Sequence, residues 1–265
     1  MDRRRCLVWL GTLLALPLLP SVVFAKAKAK AKPAPVGPAA AQPVQLATLV
    51  TRSARCWVQA GLNLDAPHAQ QTMANALRSF EQGFASFRSH AGGMGQMEKA
   101  LLVEQRWRIY RMSIAAKPDA SAARRLISQS DDIARVLNEA AEAMQKRMNN
   151  EAATLAQRGA QGPLMVERMM RMALARRWEV APADATVQLD GLRADYARWL
   201  KEMAAIPTED STFPGQVQLA QQQFVFLEGA LRAAPESKEA ESVLKLGERL
   251  GEASEVVANR VVNAG

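Results

Sequence analysis

Two cysteines and two histidines are all that this 265-residue chain offers to soft-metal, redox or imidazole chemistry, and that scarcity closes off most site types at once. His68 and His90 stand in no HExxH or HxxxE spacing, which would place two ligands on one helix face, so no metal site is expected. There is no CxxC or CxxCH for redox or haem attachment and no GxSxG turn for a serine nucleophile. The glycines of 92 to 95 lack the Lys-Ser or Lys-Thr of a phosphate loop and read as a turn. Asp131, Asp132, Glu139 and Glu142 fall on a long amphipathic stretch, where solvent-facing charge is the default. The chain reads as a non-enzyme without a cofactor.

Long apolar runs are also missing. The one candidate, Leu7 to Leu19, is about a dozen residues, short of the ~20 that span hydrocarbon, and Pro17 interrupts it. With Arg3, Arg4 and Arg5 before it and Val23-Phe24-Ala25 after it, the segment reads as an export signal, 1 to 25, cleaved after Ala25; an uncleaved anchor is the competing reading. The mature chain is then expected in the periplasm. Cys6 leaves with the signal, so Cys56 is alone and no disulfide within the chain can staple the fold. Set among Trp57, Leu49 and Leu62, that thiol is expected to be buried and inert.

Most of the apparent charge excess is at the front. Of 34 Lys and Arg, seven (Arg3, Arg4, Arg5, Lys26, Lys28, Lys30 and Lys32) precede residue 33, as does one acid, Asp2, which leaves 27 basic against 25 acidic residues. The pI near 9.9 therefore implies no nucleic-acid surface. The Lys, Ala and Pro of 26 to 43 read as an extended linker, either a plain spacer or a weak contact to an anionic envelope surface.

Strand patterns are absent too: nothing alternates apolar and polar over strand length, while Ala, Leu, Met, Gln, Glu and Arg dominate, so the fold is expected to be all-α. Helices are expected at about 44 to 62, 65 to 88, 94 to 116 and 118 to 158, with Asp65 or Ala66 capping the second and Pro67 in its first turn, Leu101, Leu102, Trp107 and Met112 marking the third and Leu126, Ile133, Leu137, Ala140 and Met144 the fourth. The run 158 to 163, with two glycines and Pro163, should end or kink the fourth. Later helices are expected at 164 to 178, 182 to 205, 216 to 233 and 235 to 262.

That programme is stated twice. At an offset of 116, Arg52 and Arg55 fall opposite Arg168 and Arg171, and Phe80, Phe84 and Phe87 opposite Tyr196, Leu200 and Met203. One residue further on, Trp107 meets Phe224, Pro118 meets Pro235 and Met144 meets Val261. A register held over roughly 100 positions is the mark of a duplicated unit. Two tandem four-helix up-down bundle modules are expected, at 44–158 and 163–262.

The openings LATLVTRSARCWVQAGLNL and PLMVERMMRMALARRW, with the export signal and the repeat, resemble the type IV pili methyl-accepting chemotaxis transducer N-terminal domain family, related to nitrate/nitrite sensor domains. Arg171, Met172 and Arg176 match the core of that family's first-helix pattern in the second copy, and Arg55 and Gln59 in the first. Val166-Glu167-Arg168, Leu174 and Ala60 depart from it. The resemblance implies a sensor-like module that binds a small ligand such as an anion, with Arg55, Arg171 and Arg176 as the ligand-binding residues. It also implies pairing through first helices, hence a homodimer. Against it stand a solvated arginine face beside a Met core, and a scaffold role contacting an envelope protein without any small ligand.

Overall fold

Residues 36–232 and 237–264 are described by a computed structural model. The expected signal, 1–25, and residues 26–35 of the expected linker lie outside the described residues. Among the described residues every regular element is α-helical, as the composition requires. In order they are α1 (Val36–Gly61), α2 (Ala66–Ala91), α3 (Met97–Ile114), α4 (Ala120–Met148), α5 (Glu151–Arg177), α6 (Ala185–Ala204), α7 (Phe213–Arg232) and α8 (Ser237–Ala264). No helix among the described residues is long and apolar enough to cross a membrane.

Contacts close into two rings. α1 packs on α2 and α4, α4 on α3, and α2 touches α3; likewise α5 packs on α6 and α8, α8 on α7, and α6 touches α7. The rings meet along α1 and α5, the most extensive helix pair among the described residues, and also where α1 touches α8 and α4 touches α5. α1 and α5 run parallel: Gly37 lies by Ala156, Arg52 and Arg55 reach Glu167, and the Trp57 ring sits 6.1 Å from that of Trp178. Between α2 and α3, Phe80 stacks on Trp107 at 3.9 Å, and between α6 and α7, Tyr196 meets Phe224 at 4.8 Å. Fully buried Leu126, Ile133, Leu137 and Ala140 form the α4 seam, as their spacing predicts.

Four local expectations are corrected. First, α1 begins at Val36, so 36–43 is helix and not linker. Pro43 forfeits a helical hydrogen bond there, but Ala40, Ala41 and Val44 are fully buried, and Gly37 lets the chain approach the Val262 carbonyl, where a Cβ would come within 2.4 Å.

Second, the fourth helix stops at Met148, not near 158. Asn149 takes the left-handed conformation at φ 46°, and the Asn150 side chain accepts from Ala153 N at 2.7 Å to start α5. The 158–163 run is inside α5, where its glycines serve close packing instead of termination. A Cβ on Gly159 would meet Val261 at 3.1 Å, and one on Gly162 would lie 2.3 Å from the Trp199 ring.

Third, of the four residues expected to mark α3 only Trp107 faces inward. Ala100, Val103, Trp107, Tyr110 and Ile114 are buried, while Leu101 and Met112 are 50% and 70% exposed and Leu102 is also out. Fourth, Asp65 precedes α2 in a left-handed conformation with no capping bond from its side chain, and Pro67 alone marks the first turn. The α4 cap is Asp119, whose carboxylate accepts from Ala122 N at 2.8 Å.

Candidate functional site

The parallel contact of α1 with α5 buries charge at its middle. One turn of α1 carries Arg52 and Arg55, and both guanidinium groups donate through Nε to a single α5 carboxylate: Arg52 to Glu167 Oε1 at 2.5 Å, Arg55 to Glu167 Oε2 at 2.8 Å. Arg52 also reaches Glu255 of α8, and Arg55 lies 3.7 Å from Glu248 of α8 and donates to Gln59 at 2.9 Å. Burial alone would raise the Glu167 carboxyl, but Arg55 and Arg52 override it and hold it below the usual carboxylate range. Burial likewise works against the Arg55 charge, and the acidic groups around it, Glu167 first and then Cys56 and Glu248, together more than restore it. This cluster is closed, because its cations are matched by the protein's own acids. Cys56 beside it is fully buried, and burial pushes its thiol up to about 11.

A second arginine pair occupies the corresponding turn of α5. Arg171, only 4% exposed, donates to Ser130 Oγ at 2.6 Å and to Asp131 Oδ1 at 2.5 Å, both on α4. Arg168, three residues earlier and so on the same face, is half-buried, and its Nε is buried without a hydrogen-bond partner. Burial first, and then the like charge of Arg171, pull its pKa below the usual arginine value, with Asp131 opposing. Arg171 forms part of the wall of a cleft of about 440 Å³ between α4, α5 and the 180–182 turn. Ile127, Met172, Ala175 and Val180 give that cleft apolar walls, Arg124, Ser128, Asp131, Asp132 and Gln188 add polar groups, and Arg168 is not among its lining residues.

The three arginines expected at a site are therefore not brought together. Arg55 lies in the closed cluster and Arg171 at the cleft, while Arg176 is half-buried and is not among the residues lining that cleft. Five helical residues separate Arg176 from Arg171, which turns it well away from the α4 face. On the 165–177 stretch Met169, Met170 and Met172 are buried within the chain, where α5 packs on α1 and α8. Glu167, the carboxylate that organises the first cluster, stood out in the sequence only as a departure from the family pattern. The signal that could have found it is an acid amid Val166, Met169 and Met170, at the turn where the repeat sets four arginines in register. No known family, curated protein or solved structure matches the chain.

Proposed function

We propose that this is a non-enzymatic, duplicated helical binding module of the periplasm, taking a small anion beside Arg168 and Arg171. The observation that carries the reading is Arg168 itself. A buried guanidinium Nε without a hydrogen bond is costly, and a ligand would complete it. Support for duplication comes from paired contacts at the repeat offset. Arg55 faces Glu248 and Arg171 faces Asp131, and Phe80–Trp107 recurs as Tyr196–Phe224. In this reading α1 and α5, the first helices of the two copies, pair inside one chain, where the chemotaxis-transducer resemblance implies pairing between chains.

A contact with an envelope protein draws on a different observation. Leu102 and Ile109 are exposed on α3, and at an offset of 117 Leu219 and Phe226 are exposed on α7. The anion reading is tested by Arg168→Met. Removing a half-buried charge whose Nε has no partner raises the melting midpoint of the ligand-free protein, and the same change abolishes the midpoint rise produced by small anions. A lower midpoint together with an unchanged anion response sinks the site.

A further inference from the structure

The outward side of α3 carries apolar residues that its own core does not use. Leu102 and Ile109 are 37% and 46% exposed, and exposed Gln105 stands between them at steps of three and four, which sets all three on one side of the helix. At an offset of 117 the same side of α7 carries Leu219, Gln222 and Phe226, also exposed. Leucine and glutamine are therefore identical in the two copies at positions that face solvent. Substitution at such positions changes stability little, so folding does not account for the agreement, whereas a contact made by both helices does.

The two seams differ in ways that fit them to each other. Three residues beyond Ile109, Met112 is 70% exposed, and its counterpart on α7 is Gly229, with open space where a side chain would stand. Arg106 and Arg108 border the α3 seam, where α7 has Gln223 and Val225. Two α3 seams laid together would gather four arginines in one contact, and the acid beside Arg108, Glu104, is already shared with Arg88. Two α7 seams would set glycine beside glycine and leave a gap. With α3 laid on α7 in the same direction, Met112 fills the space at Gly229 and the arginines meet an amide and an apolar side chain.

We infer that the chain binds further copies of itself, the α3 seam of one lying parallel to the α7 seam of the next. The inference names an occupant for the exposed residues noted above and does not rest on the anion site. The apolar surface exposed on each seam is roughly 300 Å², so one contact with its polar rim belongs to the small, transient interfaces below about 1,200 Å² in total. Association is therefore concentration-dependent. Each chain carries one seam of each kind, so an assembly of identical chains uses both.

The full chain is produced by export, so that any leader processing takes place, and its mass is followed by sedimentation velocity up to about 500 µM, a range that reveals weak pairs. Wild type is expected to gain mass with concentration. Ile109→Lys and Phe226→Lys each spoil one seam at an exposed position and should keep the wild-type melting midpoint. Each variant alone is expected to stay monomeric, while an equimolar mixture, which sets one intact α3 seam against one intact α7 seam, should form pairs. A wild type that stays monomeric overturns the inference and leaves these residues to another protein. Self-association of either variant alone, or a monomeric mixture beside an associating wild type, overturns the pairing of α3 with α7.

Discussion

Glu167→Gln removes the one carboxylate that Arg52 and Arg55 share, at nearly constant side-chain volume. Breaking a buried pair from one side costs about 3–5 kcal/mol, because the remaining charge is left desolvated. Here the cost belongs near the lower end, about 3 kcal/mol, since Arg52 keeps Glu255 and Arg55 keeps Gln59 and a longer contact to Glu248. For a chain of this size each kcal/mol moves the midpoint by about 2–4 °C, so circular-dichroism melts at neutral pH should show a fall of roughly 6–12 °C. The acid limb gives a second check. The folded pKa of Glu167 is depressed, so its contribution is complete above the unfolded carboxylate value of about 4.3 and is lost as pH falls through the lower folded value. The gap between wild type and variant should therefore close below about pH 4. A variant within a degree or two of wild type at neutral pH, or a gap that persists in acid, refutes the reasoning.

Glycine packing offers a paired comparison. Gly162→Ala forces a methyl against the rigid Trp199 ring and should cost about 1–3 kcal/mol with altered tryptophan emission, whereas Gly247→Ala meets the Met170 side chain, which can change rotamer, and should cost less; urea unfolding ranks the two. Cys56, buried with its thiol pushed up to about 11, should resist aromatic disulfide reagents at pH 8 in the folded protein and react on unfolding, as peptide mapping would read.

Helix type was legible from composition because nothing competed with it, and the α4 seam was legible because only one of its faces is apolar. α3 was not, because large apolar side chains stand on all its sides: Leu101, Leu102, Ile109 and Met112 face out, while Trp107, Tyr110 and Ile114 face in with Ala100 and Val103. Glycine misled in a related way. At Gly159 and Gly162 the missing Cβ matters for a neighbour's approach, not for a left-handed turn, and only tertiary contact separates the two uses. The real stop, Asn149 with Asn150, is a left-handed cap beside an N-cap, written in two ordinary polar letters.

The arginines were legible as a repeat and illegible as a site. Periodicity places Arg55 and Arg171 at equivalent turns, but it does not reveal that Glu167 closes one cluster while Arg168 in the other keeps an Nε without a partner. That depends on which helices face each other, and here α1 faces α5 across the two rings.

The most direct measurement is the stoichiometry of anion binding by titration calorimetry on the full chain. Because Glu167, Glu255 and Glu248 already satisfy Arg52 and Arg55, the account predicts one anion per chain, lost in Arg168→Met and retained in Cys56→Ala. Two equivalent sites per chain, or one site that survives without Arg168, would contradict it.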